Sequence, residues 1–160
     1  MKYTINSTKG FYICDPCYIL PDEIYDDIWG AKYNYEDGEI PVGDTNFAVV
    51  GTRLGDGCFD ANYNTKSGFV EVLDSIWVDS GTIAIIPVEL RDPNGDVIKI
   101  KFDYVGEVSI EYDDGRIYVE FGDESVVIDI DGEPWWDWWE EDNYDEYDDN
   151  VDSFDNDLFD

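Results

Sequence analysis

From residue 97 to residue 130 the chain is cut at short intervals by turn-forming residues, and this punctuation constrains the fold more than any other feature. Val97 to Val105, Glu107 to Tyr112, Arg116 to Phe121 and Ser125 to Ile130 are short β-rich runs. Gly106, Asp113-Asp114-Gly115 and Gly122-Asp123-Glu124 separate them. The pattern predicts an antiparallel meander. Apolar and polar residues alternate in Ile98-Lys99-Ile100-Lys101-Phe102 and in Ile117-Tyr118-Val119-Glu120-Phe121, so one face of that sheet is wet.

The earlier chain reads the same way. Gly10 to Leu20 is β-rich and broken at Asp15-Pro16, where proline removes a ladder donor. Phe47 to Leu54 ends at the turn signal Gly55-Asp56-Gly57. Phe69 to Val78 and Thr82 to Leu90 are strands flanking Asp79-Ser80-Gly81. Pro21 to Gly30 predicts one short helix: proline and acids occupy its first turn, Ile24 and Ile28 lie one turn apart, and glycine stops it. A polar connection runs from there to about Asn46. The predicted fold is therefore mainly β, an antiparallel sheet or meander forming a sandwich or a partly open barrel. It carries one short N-terminal helix, and the β-rich domain spans residues 1–130.

Residues 131–160 form a separate segment, acidic and aromatic. The chain of 160 residues has a net charge of −31 and no histidine. The charge is uneven: residues 1–116 hold 9 basic and 22 acidic residues, a net −13, whereas residues 117–160 hold 18 acids and no base. Such a chain repels phosphate backbones and anionic membranes, so neither nucleic acid nor membrane is expected as a direct partner. Lack of histidine removes Ser-His-Asp and Cys-His catalysis and the commonest zinc sites. Acidity alone often means disorder, but 43% hydrophobic and 16% aromatic residues are enough for a real core. No stretch approaches the ~20 apolar residues of a membrane span. The first residues lack the apolar region of a signal peptide. Cytoplasmic residence and reduced cysteines are the expectation.

The C-terminal segment is patterned. Tyr144, Tyr147, Val151, Phe154 and Leu158 recur at steps of three and four, and Trp136 and Trp139 follow a similar phase. That is one apolar stripe on a helix, with acids on the other faces. Aspartate is a poor helix former, and acids oppose the dipole at a helix C-terminus, so the helix needs its stripe docked. The segment is thus helical or extended according to what it meets.

Candidate chemical motifs are weak by comparison. Cys14-Asp15-Pro16-Cys17 matches C-x-x-C but follows a strand, and an acid inside it raises the thiol pKa. Cys58 is the one other thiol, too few for a zinc site. Asp129-Ile130-Asp131-Gly132-Glu133 begins like a calcium loop, yet its fifth position is Glu and its sixth is Pro134, where glycine is required. Asp92-Pro93-Asn94-Gly95-Asp96 reads as a hairpin turn. Among 40 acids some pair will stand at a glycosidase spacing by chance, and none is singled out. The chain is read as a non-enzyme without cofactor or dedicated metal site. Weak divalent binding by the Asp-rich loops stays open.

The acids themselves suggest a use. A helix through residues 135–160 would run about 39 Å at ~1.5 Å per residue. It would carry 12 acids, one per about 3.2 Å at that rise. A DNA strand carries one phosphate per roughly 3.4 Å. Asp137, Glu141, Asp145, Asp149 and Asp152 fall near one-turn intervals and would form a row. Such a row imitates a nucleic acid and is steered into a basic groove by its field. Trp135, Trp136, Trp138, Trp139, Tyr144 and Tyr147 are interface-type anchors able to fill base-stacking pockets. Together with Asp137, Glu140, Glu141, Asp145, Asp148, Asp149 and Asp152 they make the candidate partner-binding surface. The bland alternative is that the tryptophans glue the tail to the sheet. Homodimerisation through the Trp cluster also stays open.

Asp15-Pro16-Cys17-Tyr18, Gly51-Thr52 with Gly55-Asp56-Gly57, and Val78-Asp79-Ser80-Gly81 leading to Ile86-Pro87-Val88-Glu89 are the residues by which the chain resembles a known group. It is similar over about residues 10–90 to small uncharacterised proteins encoded by bacteriophages and prophages. The resemblance implies a phage origin and a β-rich domain, and carries no activity to any residue. The charge profile is similar to that of phage DNA-mimic inhibitors of restriction, CRISPR and other host DNA-binding factors. The function expected is accordingly a phage-encoded anti-defence inhibitor, acting inside the host cell by occluding the groove of a basic nucleic-acid-binding host protein. The alternative is an acidic β-domain binding module with a solubilising tail, using the Cys14–Tyr18 and Gly55–Phe59 loops.

Overall fold

A computed structural model describes residues 2–64, 70–96 and 100–130. They build two antiparallel sheets with a helix laid on one of them. The strands are β1 (Lys2–Ser7), β2 (Phe11–Cys14), β3 (Gly38–Val42), β4 (Thr45–Gly51), β5 (Gly57–Asn64), β6 (Val70–Val78), β7 (Thr82–Pro87), β8 (Lys101–Phe102), β9 (Gly106–Asp113), β10 (Arg116–Phe121) and β11 (Glu124–Asp129). The outer sheet has the order β1-β9-β10-β11-β5-β6, and the central sheet β3-β4-β7-β2-β8. The expectation of a mainly β fold with one short N-terminal helix holds, and of the architectures anticipated the chain forms the sandwich.

Turn chemistry sets the hairpins. Asp114 (φ 50°) and Gly115 (φ 84°) both adopt positive φ between β9 and β10, the two-residue turn whose twist suits a hairpin. Gly122 (φ 61°) opens the next turn and Gly43 (φ 63°) the β3–β4 turn, each as the first of two loop residues. The meander is thus β9-β10-β11. Its predicted first member does not belong to it: Lys101–Phe102 pairs instead with β2 in the central sheet, and β1 takes the place beside β9. Residues 97–99 of that predicted strand lie outside the described residues.

Two cores result. Between the sheets, Phe11, Ile13, Ala48, Val50, Ile83 and Ile85 of the central sheet meet inward residues of the outer sheet such as Phe59, Val108, Ile110, Ile117, Val119 and Phe121. Phe121 sits 4.7 Å from Phe102 and 5.2 Å, edge-on, from Phe11. On the far face of the central sheet, Tyr12, Phe47, Val49, Ala84 and Ile86 pack under Ile19, Leu20, Ile24 and Trp29. The central sheet is therefore buried on both faces, and all six residues of Thr82–Pro87 are buried. The outer sheet keeps one wet face, visible in the buried-exposed alternation of Arg116–Phe121.

The helix departs from its predicted end. It starts α-helical at Asp22–Ile24, widens into a π-helical stretch at Tyr25–Gly30, and continues α-helical through Ala31–Tyr33. Gly30 does not stop it. Asn34, in the left-handed conformation (φ 55°), does. Gly30 instead makes room for a neighbour: a Cβ there would stand 2.4 Å from the end of the Tyr35 side chain and push that ring aside. That ring packs edge-on against Trp29, whose indole N–H donates to Glu36 O at 3.0 Å.

Candidate functional site

Strand register brings the three short motifs to one end of the sandwich. β2 ends at Cys14 opposite Ala84, β4 at Gly51 opposite Thr82, and β6 at Val78 opposite Gly57. The turns that follow, Asp15–Tyr18, Thr52–Asp56 and Asp79–Gly81, are neighbours.

Asp15 holds them together. It is fully buried, and its carboxylate accepts hydrogen bonds from Cys17 N (2.9 Å), Asp79 N (2.7 Å), Ser80 N (2.7 Å) and Ser80 Oγ (2.8 Å). One carboxylate thus caps the 3-10 turn Pro16–Tyr18 and fixes the crossover from the outer to the central sheet. Charge-assisted bonds of this kind are roughly twice as strong as neutral ones. The Ser80 hydroxyl spends its proton on Asp15, so the 2.6 Å contact between Ser80 Oγ and Thr82 Oγ1 is donated by Thr82. The Tyr18 hydroxyl donates to Asp79 Oδ2 at 2.5 Å. In the adjacent crossover, buried Thr52 donates its N–H to Gly81 O (2.9 Å) and its hydroxyl to Gly55 O (2.8 Å). Arg53 has a left-handed backbone (φ 71°), pairs with Asp37 at 3.4 Å, and lies 4.8 Å from the Tyr112 ring centroid.

The electrostatics of this end disfavour charge on its thiols and phenols. Burial, then the neighbouring Asp15 carboxylate, pushes the Cys14 thiol well up. Cys17 is an exposed residue whose sulfur is partly desolvated; that desolvation and then Asp15 raise its pKa strongly. Burial and the hydrogen bond to Asp79 raise Tyr18 likewise. Tyr25, desolvated and near Asp15, is pushed up to about 12. Both cysteines of the C-x-x-C are protonated thiols at neutral pH, poor nucleophiles and poor redox partners. All three cysteines are among the described residues, and no disulfide joins them.

Asp92-Pro93-Asn94-Gly95-Asp96 is a turn, as its composition predicts, but it does not join two strands of one hairpin. Asp92 Oδ1 accepts from Asn94 N (2.9 Å), and the turn is pinned by Asp92 N to Ile19 O (2.7 Å) and Asp96 N to Tyr18 O (3.1 Å). Among the described residues no three His, Cys, Asp or Glu side chains converge to hold a metal ion.

The candidate partner-binding residues of the C-terminal segment, Trp135, Trp136, Asp137, Trp138, Trp139, Glu140, Glu141, Tyr144, Asp145, Tyr147, Asp148, Asp149 and Asp152, lie outside the described residues, as do Asp131 to Glu133 of the calcium-like loop. What the structure places is their point of departure. Ile130 N donates to Gly115 O at 2.9 Å, so the chain leaves beside the Asp113-Asp114 turn, at the end that also carries the three motifs. Sequence reasoning treated Asp15 only as a neighbour that raises a thiol pKa. It missed the staple, because three of the four groups Asp15 binds, those of Asp79 and Ser80, lie more than sixty positions away in sequence.

No family model, no curated protein and no solved structure matches the chain. Among the described residues no helix is long and apolar enough to cross a membrane.

Proposed function

We propose that the protein is a non-enzymatic, phage-encoded inhibitor whose acidic C-terminal segment imitates nucleic acid and occupies the basic groove of a host defence or DNA-processing protein. The observation that carries this reading is the place where the segment begins. It departs beside Asp113, Asp114 and Asp129, whose one basic neighbour in the register is Arg116, and residues 131–160 add 14 acids without a base. The described ion pairs engage Glu120, Asp37 and Asp103 and are all surface contacts, which leaves most of the negative field unneutralised. Trp135, Trp136, Trp138 and Trp139 follow within nine sequence positions of Ile130 and supply the anchors.

The test compares the full chain with one carrying Asp137, Asp145, Asp149 and Asp152 as Asn and Glu141 as Gln. Each is used to capture proteins from a bacterial lysate, and the captured proteins are then challenged with DNA or RNA. The reading expects basic nucleic-acid-binding proteins on the full chain, released by nucleic acid and by salt, and lost from the neutralised chain. Capture that survives neutralisation, or that coexists with bound nucleic acid, defeats it.

A second reading is a binding module that uses the turn end itself. It is favoured by the half-exposed Leu54 at the tip of the Thr52–Asp56 turn. Against it stands the use of every described Asp15 contact inside the protein. Leu54→Ser separates the two: it weakens capture under the second reading and leaves capture intact under the first.

A further inference from the structure

The two sheets do not end flush. β1 is an edge of the outer sheet, while β3 carries the central sheet one strand beyond β4. Ile40 of β3 faces the helix layer, so its neighbours Glu39 and Pro41 project the other way, over the free edge of β1. Beneath that overhang lies a groove of about 610 Å³, lined by Thr4, Asn6, Glu39, Pro41, Asn46 and Glu107 among others.

Side chains already stand there where a strand would. Glu39 Oε2 accepts from Thr4 N (2.7 Å) and Thr4 Oγ1 (3.3 Å), and Asn46 Nδ2 donates to Thr4 O (3.0 Å). Thr4 therefore turns both backbone groups away from β9. Alternation along an antiparallel ladder turns those of Asn6, two residues on, in the same direction and into the groove. The groove thus offers a strand's donor and acceptor, with the carboxylates of Glu39 and Glu107 at its walls and no cationic lining residue.

We propose that this step takes an extended, lysine- or arginine-bearing segment of a partner protein, which adds to β1 as a seventh strand of the outer sheet. Its backbone takes the N–H and C=O of Asn6 and replaces Glu39 and Asn46 at Thr4. The carboxylate released from Thr4 then meets the incoming cation, and Glu107 faces the next one. The backbone groups of Thr4 and the Glu39 carboxylate each exchange one partner for another, so the closed edge resists non-specific pairing yet opens to a cationic strand. The inference does not rest on the nucleic-acid-mimic reading, since none of these residues belongs to the C-terminal segment.

The probe is a blocked hexapeptide alternating Lys and Val, titrated into the full isotope-labelled chain and followed by backbone amide shifts. An equally charged peptide alternating Lys and Pro is the control, because proline has no N–H to give to a ladder. The Lys-Val peptide is expected to shift Thr4 to Ser7 and Glu39 to Val42, and to bind there on the order of tenfold more tightly than the control. Glu39→Gln, which keeps an acceptor for Thr4 N but loses the charge, and Glu107→Gln should each weaken it by roughly threefold. Equal affinity for the two peptides overturns the proposal, as do shifts confined to acidic residues elsewhere or no binding at all.

Discussion

The outer and central sheets are both antiparallel, but they solve different burial problems. The outer sheet covers one face, and its strands read as alternation: Ile117, Val119 and Phe121 point in, while Arg116 and Glu120 are exposed. The central sheet is covered on both faces, by the outer sheet and by the helix layer, and Thr82–Pro87 is apolar almost without interruption. An antiparallel strand with both faces dry has no use for alternation. The difference teaches that the helix is a structural lid for the second face of the central sheet.

Phenylalanine truncations probe that division most strongly. Phe47→Ala on the helix side and Phe59→Ala between the sheets each remove a fully or nearly fully buried ring, and each should cost about 3–5 kcal/mol by denaturant unfolding. Native-state hydrogen exchange should separate them. The first is expected to release the helix and leave β9, β10 and β11 protected, and the second to lower protection throughout the sandwich. If both lower protection everywhere, the two cores are one cooperative unit.

Asp15→Ala tests the connection between the sheets. It leaves three backbone N–H groups and the Ser80 hydroxyl without their carboxylate, at a cost of about 2–4 kcal/mol. Asp15→Asn, keeping one oxygen, should fall between the variant and the parent chain in urea midpoint. An Asp15→Ala chain with an unchanged midpoint would show that the crossovers hold without the staple.

The helix layer also titrates. Tyr25 rises from its usual 10 to about 12 because it is desolvated and near Asp15. The folded state therefore keeps a proton that the unfolded state loses. The stability due to this group is complete below pH 10 and falls as pH rises from 10 to about 12. Tyr25→Phe should flatten that part of the stability profile, as read by denaturant midpoints across the range. The smallest effect belongs to the wet face: Glu120→Thr, exposed on β10, should change stability by no more than about 0.5 kcal/mol. A large loss there would mean that something covers the outer sheet.

How much was legible in the sequence follows from the same contrast. Alternation announced β10, and a continuous apolar run announced β7. The strands that escaped are polar ones. Lys2–Ser7 and Gly57–Asn64 carry Thr4, Asn6, Asp60 and Asn62 on a wet face, and the second is also bent by an irregular register between Asp60 and Asn62. Gly38–Val42 contains Pro41, which argues against a strand unless the strand is an edge, as it is here. The partners of Lys101–Phe102 were illegible for another reason: local punctuation describes hairpins and says nothing about which sheet receives a two-residue strand. Of the candidate site, the motif residues were visible as strings. Their meeting around Asp15 was not, because a buried carboxylate is recognised by what folding brings to it.

The pairing of β1 with β9 has a bearing on how the molecule is made. Lys2 finds its ladder partner at Glu111, across most of the chain. Hairpins such as β9–β10 close within a few residues and form early, whereas pairing at such sequence separation is slow. As the chain emerges from the ribosome, its first strand must therefore wait, unpaired, until nearly the whole β domain has been synthesised. That waiting strand, KYTINS, is short and half polar. Such a segment tolerates the delay without drawing other nascent chains into aggregates.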